Sequence, residues 1–324
     1  MNRLKVLFSE PSLLEEDLKV LSVHADVRVA SSPAEEVLRR EASDAEILMV
    51  EYAEITSRVI NSATKLRSIV RMGTGVDNID LQAATARKIP VINIPDYCTA
   101  AVADYAFALI ISLARKITQA DRAVRARRWE IWTSPSKAYC GTELEGKTLG
   151  LVGLGRIGRA VARRAEAFNM NLVAFDPYVQ EKQLKGIKIK LADLSTLLER
   201  SDFVSLHAAL TLETRGLIGE KQLRMMKSTA NIINTSRGAL IDENALVRAL
   251  KEGWIAGAGL DVYEREPPDI DNPIFELENA VLTPHIAWYT EEAMRRVRKT
   301  AVEMAIGLLQ GKIPKTVVNP DVLE

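Results

Sequence analysis

The sequence has little of several residue types, and each shortage narrows the class of protein. Only 2 of its 324 residues are cysteines, Cys98 and Cys140, so no disulfide framework is expected, and neither cysteine has the spacing of a metal ligand. No apolar run approaches the roughly 18 residues that a membrane span needs, and no signal peptide is expected at the N-terminus. These features predict a cytoplasmic protein without a metal site.

The chain also lacks net charge. Its 43 basic and 43 acidic residues balance, so no overall attraction to nucleic acid or to a membrane surface is expected. Apolar residues, by contrast, are abundant: they make up 47% of the chain, which excludes a disordered protein. The 324 residues are enough for two domains of ordinary size.

Short β-rich runs alternate with amphipathic helical patterns, first over about a hundred residues and again from residue 146 onward. Such alternation predicts an α/β fold with two doubly wound parallel sheets. A single long helix is predicted over 99–128, and a last helix over 291–310. The strand candidates are 4–8, 27–30, 47–50, 69–72 and 91–94, then 148–152, 172–175, 187–189, 203–207, 231–234, 257–262 and 281–282.

The tail that follows the last helical pattern is too short to form a domain of its own. It is therefore expected to fold back on the first domain, which makes the second domain an insertion within the first. The predicted domains are 1–98 with 290–324, and 99–289.

A glycine-rich turn follows an apolar strand candidate and opens a helical pattern. It consists of Gly153, Gly155 and Gly158, with Arg156 and Ile157 between the last two, in the spacing of a dinucleotide-binding loop. Glycines at these positions permit a tight turn, the close approach of backbone to a pyrophosphate, and close packing of helix on strand. The N-terminus of the helix adds free N–H groups for the phosphates.

Asp176 closes the next apolar run, 18 residues after Gly158. A carboxylate at this point accepts hydrogen bonds from the 2′- and 3′-hydroxyls of a ribose and repels a 2′-phosphate. The sequence therefore predicts NAD as the cofactor, in preference to NADP.

Arg237, Glu266 and His285 each follow a strand candidate of the second series. Side chains beyond the carboxyl ends of parallel strands meet at one edge of the sheet, so these three are expected to converge. A carbonyl that receives a hydride needs a proton on its oxygen, and histidine suits that task near neutral pH. A carboxylate can orient the histidine, and an arginine can grip a substrate carboxylate. The set predicts the reduction of a 2-oxo acid.

At these residues the chain resembles the D-2-hydroxyacid dehydrogenase family, and the resemblance covers nearly all of its length. It implies a Rossmann cofactor domain inserted into a flavodoxin-like substrate domain, with catalysis in the cleft between them. It also implies a homodimer formed through the cofactor domain. Two alternatives stay open for the region of Trp129, Trp132 and Tyr139, which either shapes the substrate pocket or covers a dimer interface. The motifs that carry the resemblance are 71–80, 153–158, 234–238, 259–263 and 283–285.

The resemblance further implies the roles of individual residues. Arg237 would bind substrate and Glu266 would pair with His285, the acid/base. A loop in the first domain would offer backbone N–H groups to the substrate carboxylate, as successive N–H groups in a glycine-rich turn can. The remaining predictions are cofactor contacts for His207, Thr235, Ser236 and Asp261, and substrate contacts for Arg71, Gly73, Thr74, Gly75 and Trp288.

Two substrate classes stay open at this stage. The stretches 71–75 and 141–144 look most like 3-phosphoglycerate dehydrogenases, which clamp the phosphate with arginines, and Arg71 matches one of them. Glu51, however, stands where another arginine is expected, and a carboxylate there would repel a phosphate. The stretch 95–98 also departs from the asparagine-rich loop of those enzymes. A small unphosphorylated acid such as glyoxylate or hydroxypyruvate is therefore the first expectation.

A protein of another class is also considered. Trp288 and its neighbours resemble the dehydrogenase-like C-terminal binding proteins, which act as co-repressors. The alternative to an enzyme is thus an NAD(H)-sensing binding module. The intact set of Arg237, Glu266 and His285 favours turnover.

Overall fold

The computed structural model describes residues 3–11, 14–129, 139–184 and 186–323. The chain divides into two compact units. The first consists of Met1–Cys98 together with Thr290–Glu324, and the second of Thr99–Tyr289.

The first unit contains a five-stranded parallel sheet with the strand order β2-β1-β3-β4-β5. All four residues of β3 are buried, as is typical of parallel strands that are covered on both faces. The strands are β1 (Lys5–Phe8), β2 (Asp26–Val29), β3 (Ile47–Val50), β4 (Ser68–Arg71) and β5 (Val91–Ile92), and the helices are α1 (Glu15–Ser22), α2 (Glu35–Glu41), α3 (Ser57–Ser62), α4 (Leu81–Ala86) and, near the C-terminus, α11 (Glu291–Leu309).

The C-terminal tail packs against β5 in the same unit. Val317 forms an antiparallel bridge with Ile92. The buried side chain of Asn319 accepts a hydrogen bond from the Val91 N–H at 2.8 Å and donates one to the Ile89 carbonyl at 3.0 Å. These hydrogen bonds satisfy buried backbone groups beside β5 and so stabilise the edge strand of the sheet.

The second unit contains a seven-stranded parallel sheet with the order β12-β11-β10-β9-β6-β7-β8. The chain winds from β6 outward in one direction and then, from β9, in the other. The reversal between β6 and β9 is a topological switch point, where open α/β sheets bind ligands beyond the carboxyl ends of the strands. The strands are β6 (Thr148–Val152), β7 (Asn171–Phe175), β8 (Ile189–Leu191), β9 (Phe203–Leu206), β10 (Asn231–Asn234), β11 (Gly257–Leu260) and β12 (Ala280–Leu282).

The predicted single helix over 99–128 is wrong. The structure has two helices, α5 (Thr99–Arg115) and α6 (Ile117–Arg125), separated by Lys116, whose φ of 56° is left-handed. A left-handed residue cannot continue a right-handed helix. The two halves also pack differently, because α5 is buried on several faces whereas α6 buries only Ala123.

The remaining helices of the second unit are α7 (Arg156–Ala167), α8 (Leu194–Arg200), α9 (Glu220–Met225) and α10 (Glu243–Lys251). The strand predicted over 187–189 lies two residues further on, as β8. The reason is local, since the N–H of Ile187 closes a turn to the Leu184 carbonyl at 3.1 Å. In the part of the chain that the structure describes, no helix has the length and apolar character of a membrane span.

Candidate active site

The glycine loop joins β6 to α7 and has the shape that a dinucleotide requires. Gly153 adopts a φ of 94°, and a Cβ there would lie 2.6 Å from the backbone nitrogen of Ala208. A Cβ on Gly158 would lie 2.3 Å from the Gly153 carbonyl oxygen, so the helix packs directly on the loop. Beside Gly155 there is open space, with nothing within 4 Å of a Cβ. These are the three functions that glycines serve in a pyrophosphate-binding turn.

Helix α7 begins at Arg156, directly after this open space, and its N-cap residue Gly155 provides no side-chain cap. The N–H groups of the first turn point towards this space, and the helix dipole favours an anion there. Arg156 is exposed and Ile157 packs on the core of the unit, so Ile157 contributes through its backbone.

Asp176 lies directly beyond β7, next to this loop. Its carboxylate accepts hydrogen bonds from the N–H of Leu154 at 2.8 Å and from the N–H of Tyr178 at 2.9 Å. The first bond ties Asp176 to the glycine loop itself. Each carboxylate oxygen has a further lone pair, so both can still accept a ribose hydroxyl.

Two other residues predicted to contact the cofactor carry buried polar atoms without a partner among the described residues. These atoms are Nδ1 of His207 and Oγ1 of Thr235. The other ring nitrogen of His207 lies 2.9 Å from the Ser205 hydroxyl, and burial lowers the pKa of His207 to about 4, so its ring is neutral. Buried polar atoms are normally paired, and unpaired ones at a switch point fit a bound ligand. Together with the glycine loop, they fit a dinucleotide.

The three residues predicted to carry the chemistry belong to neighbouring strands. Arg237, Glu266 and His285 follow β10, β11 and β12, which lie side by side in the sheet. The structure brings them together, since the positive charge of Arg237 contributes to lowering the pKa of Glu266. Arg237 also donates to the Ser236 carbonyl at 2.8 Å. The hydroxyl of Ser236 is bonded to the Leu206 carbonyl at 2.9 Å.

Glu266 and His285 form the central contact of this group. Oε2 of Glu266 lies 2.5 Å from Nδ1 of His285, and Oε1 accepts a hydrogen bond from the Tyr263 N–H at 3.0 Å. Burial alone would raise the pKa of Glu266, but the hydrogen bond and positive charge of His285 outweigh it and leave the pKa below its usual value. Glu266 is therefore a carboxylate at neutral pH and holds one ring nitrogen, which leaves Nε2 for a substrate.

A buried carboxylate holds the loop that carries His285. Asp261 is fully buried, and it accepts hydrogen bonds from the N–H groups of Ile286 at 3.0 Å and Ala287 at 2.7 Å and from the Thr283 hydroxyl at 2.6 Å. These bonds bracket His285, whose backbone has a left-handed φ of 55°. Such a conformation persists in a non-glycine residue only where its surroundings enforce it. Sequence reasoning assigned Asp261 to the cofactor and did not reveal this contact.

A cavity of about 470 Å³ lies beside the pair, and it is lined mainly by apolar side chains. Tyr263, Phe275 and Leu282 form much of its wall, together with Glu266 and His285. The Tyr263 hydroxyl donates to the Thr283 carbonyl at 3.1 Å. Neither Tyr263 nor Thr283 was singled out by sequence reasoning, although both lie in the motifs at 259–263 and 283–285.

The substrate contacts predicted in the first unit lie at the carboxyl end of β4 and in the loop that follows it. The guanidinium of Arg71 lies against Gly73, where a Cβ would be 1.7 Å from Nη1. Gly73 donates its own N–H to the Arg71 carbonyl at 2.8 Å, which corrects the expectation that this N–H is offered to a ligand. The next residue, Thr74, accepts a hydrogen bond from the Asn93 side chain at 2.7 Å.

The predicted aromatic residues have different surroundings. Trp288 packs edge-on against Tyr289 with 5.2 Å between ring centroids. Trp129 is 70% exposed and Tyr139 is half-buried. Trp132 lies outside the described residues. Of the two cysteines, Cys98 is buried and Cys140 is exposed, and the two do not form a disulfide with each other.

A nucleotide-binding switch point beside an Arg–Glu–His group defines a nicotinamide-dependent oxidoreductase. Comparison with known proteins agrees. Residues 107–287 match the family model described as D-isomer specific 2-hydroxyacid dehydrogenase, NAD binding domain. The chain is similar to a glyoxylate reductase of Korarchaeum cryptofilum, with 44% identity over 90% of this chain and 88% of that protein.

It is also similar to a D-3-phosphoglycerate dehydrogenase of Methanocaldococcus jannaschii, with 42% identity over 97% of this chain but only 59% of that longer protein. Among solved structures, a glyoxylate reductase from Paecilomyes thermophila superposes with a TM-score of 0.89 at 32% identity, covering 99% of this chain and 100% of that one.

The chain belongs to the D-isomer specific 2-hydroxyacid dehydrogenase family. It is an NAD-dependent oxidoreductase that interconverts 2-hydroxy acids and 2-oxo acids. The resemblance read from the sequence motifs, the fold of two parallel-sheet domains and the NAD cofactor are thereby confirmed.

Proposed function

We propose that the enzyme reduces a small, unphosphorylated 2-oxo acid, such as glyoxylate or hydroxypyruvate, to the D-2-hydroxy acid. The observation that carries this proposal is the Glu266–His285 contact of 2.5 Å, formed beside Arg237 within the NAD-binding unit. The similarity to glyoxylate reductases supports the same substrate class.

His285 is the proton donor in this proposal. Glu266 holds its Nδ1, so Nε2 faces the substrate and gives its proton to the carbonyl oxygen as negative charge develops there. Arg237 binds the substrate carboxylate and polarises the carbonyl, for which its planar fork is suited. In the direction of oxidation, His285 takes the proton back from the hydroxyl.

We assign cofactor binding to the Thr99–Tyr289 unit. NADH, when bound, supplies the hydride that the carbonyl carbon accepts. Gly153, Gly155 and Gly158, with the N–H groups of Arg156 and Ile157, would hold its pyrophosphate. Asp176 would accept the ribose hydroxyls and so select NAD over NADP. His207, Thr235 and Ser236 would line the same site, whereas Asp261 is fully buried and acts through the loop of His285, whose N–H groups it binds.

We assign substrate binding to the unit formed by 1–98 and 290–324. Arg71 and the N–H groups of Thr74 and Gly75 would bind the substrate carboxylate, beside the turn made by Gly73. We also assign a substrate contact to Trp288. Glu51 argues against a phosphate, because a partly buried carboxylate repels a second anion.

The second candidate is the oxidation of 3-phosphoglycerate. It is favoured by Arg71 and by the 42% identity to a D-3-phosphoglycerate dehydrogenase. A third candidate, an NAD(H)-sensing module, is favoured only by the stretch around Trp288. We further propose a homodimer formed through the cofactor unit and, from two cysteines that are not joined in a disulfide, a location in the cytoplasm.

The test is the oxidation of NADH by the purified protein with glyoxylate, hydroxypyruvate, 3-phosphohydroxypyruvate and a branched 2-oxo acid, compared side by side. The proposal predicts the highest kcat/KM with glyoxylate or hydroxypyruvate. A preference for 3-phosphohydroxypyruvate would replace it with the second candidate. Negligible rates with every acid, combined with tight NADH binding, would favour the sensing module.

A further inference from the structure

The carboxylate of Glu10 is bound by three successive backbone N–H groups in the first unit. Oε2 accepts from the N–H of Glu51 at 3.1 Å, and Oε1 accepts from the N–H of Tyr52 at 2.8 Å and from that of Ala53. The hydroxyl of Ser9, which is fully buried, donates to the same carboxylate. Four donors therefore converge on one anion.

Such a group of donors is what proteins use to bind a phosphate or a carboxylate. Successive N–H groups that point into one concavity form an anion site, because their dipoles add and the donors need no desolvated counter-charge. Here the chain fills the site with its own side chain. Glu10 follows β1, whereas the three N–H groups follow β3, about forty residues later in the chain. The site is therefore built by the tertiary fold rather than by a local turn.

The filled anion site lies at the sheet edge that carries the predicted substrate loop. β1, β3 and β4 are neighbours and parallel, so Glu10, Glu51 and Gly73 all follow carboxyl ends at the same edge. The N–H of Met72 donates to the Val50 carbonyl at 2.7 Å, which extends the pairing of the two strands into their loops. The side chain of Asn78 adds a bond to the Ala53 carbonyl at 2.9 Å.

The charges at this edge are unequal. Burial raises the pKa of Tyr97, and the positive charge of Arg71 acts against this rise, so the two side chains lie near each other. Arg71 supplies one positive charge there, enough for the single carboxylate of a 2-oxo acid. Glu10 and Glu51 supply two negative charges on the neighbouring strand ends.

We propose that Glu10 is a specificity-determining residue: its carboxylate occupies the anion site formed by the N–H groups of Glu51, Tyr52 and Ala53 and so excludes substrates with a second anionic group. The enzyme thereby accepts 2-oxo acids that are neutral beyond the carbonyl and rejects those with a terminal phosphate or carboxylate. The substrate half of this inference rests on the proposed function. The anion-site half is a property of the first unit alone.

The competing explanation is that Glu10 only caps the loop after β3. In that case its removal would lower stability and reduce the kcat/KM of every substrate by the same factor. If Glu10 excludes anions, its removal changes the ratio between substrates, and it opens a site for inorganic phosphate. These readouts separate the two roles.

The variants are E10A, which empties the site, and E10Q, which keeps the shape and one acceptor but removes the charge. The matched control is E41Q. The carboxylate of Glu41 also accepts a hydrogen bond from a backbone N–H of this unit, that of Ser31 at 3.0 Å. Ser31 follows the edge strand β2, so this bond lies away from the loops after β3 and β4. Thermal unfolding of each variant in phosphate and in chloride at equal ionic strength measures phosphate binding. Steady-state rates give kcat/KM for 3-phosphohydroxypyruvate, oxaloacetate and glyoxylate.

We expect phosphate to stabilise E10A saturably, with no such effect on the wild type or on E41Q. The ratio of kcat/KM for 3-phosphohydroxypyruvate or oxaloacetate to kcat/KM for glyoxylate should rise at least about tenfold in E10A, and less in E10Q. The reason is that one or two charge-assisted hydrogen bonds become available to the second anionic group. If E10A does not fold, E10Q alone must show a raised ratio.

The inference is overturned if the folded variants gain neither phosphate binding nor a changed ratio. Should the wild type reduce none of the acids, the proposed function fails, while phosphate binding by E10A still tests the anion site by itself.

Discussion

Nδ1 of His285 lies 2.5 Å from Oε2 of Glu266, although the two residues follow different strands. They meet because β11 and β12 are parallel neighbours, with Leu260 opposite Leu282. The ring is thus oriented by a carboxylate whose pKa lies below its usual value, against the effect of its own burial. This relationship is the basis for proposing His285 as the proton donor, and the first prediction tests it.

Replacing Glu266 by Gln removes the negative charge beside the ring while keeping its size. The ring of His285 then loses the charged acceptor that orients it, so kcat should fall by about 10²–10⁴. The measurement is kcat and KM for glyoxylate, with thermal unfolding to confirm that the variant is folded. A folded variant that keeps the kcat of the wild type would show that Glu266 does not act through His285.

The second prediction concerns the choice of cofactor. In D176S the carboxylate that faces a 2′-phosphate is lost, so kcat/KM for NADPH relative to NADH should rise by about tenfold or more. The N–H groups of Leu154 and Tyr178 lose an acceptor, so thermal unfolding must confirm that the variant is folded. An unchanged NADPH/NADH ratio in folded protein would refute the role given to Asp176.

The third prediction concerns His207 and stability at low pH. Burial lowers the pKa of its ring from 6.5 to about 4. Between pH 6.5 and pH 4 the ring is therefore protonated in the unfolded chain but neutral in the folded chain. The free energy of unfolding falls by up to about 3 kcal/mol as the pH drops through this range.

His207→Gln should remove this part of the pH dependence and leave the stability above pH 7 less affected. Urea titrations of both proteins over that pH range measure the difference. Parallel curves for the wild type and the variant would contradict a neutral buried histidine.

The fourth prediction concerns the backbone next to Arg237. A Cβ on Gly238 would lie 1.9 Å from the backbone carbon of Tyr263, and neither segment has a flexible atom to move. G238A should therefore lower the free energy of unfolding by about 3 kcal/mol and reduce kcat, because the Tyr263 N–H that it displaces holds Glu266.

The control is G307A in α11, where a Cβ would meet its first neighbour at 3.8 Å. That change should be neutral or stabilising, since alanine is the better helix former. Thermal unfolding and glyoxylate turnover of both variants decide the matter. Equal behaviour of the two would mean that the Gly238 contact is not tight.

Much of the site could be predicted from the sequence because its parts are local. The glycine loop is a contiguous motif with a strand before it and a helix after it, and Arg237, Glu266 and His285 each follow a recognisable strand. The rule that side chains beyond parallel strands share an edge was enough to bring them together.

Other features depend on contacts between distant segments. Glu10 follows a strand by two residues and belongs to no motif, so its bonds to Tyr52 and Ala53 could not be expected from spacing. The same holds for Asp261, whose acceptors are filled by the loop of His285. The break in the long helix at Lys116 could not be predicted either, because the sequence carries no signal that a lysine adopts a left-handed conformation.

The most direct test of the central claim is a comparison of H285A with the wild type. Loss of NADH absorbance with glyoxylate gives turnover, and NADH fluorescence titration gives cofactor affinity. If His285 is the proton donor, kcat falls by about 10²–10⁴ while the Kd for NADH changes less than about threefold. A variant that keeps its turnover, or that loses turnover and NADH binding to the same extent, would contradict the account.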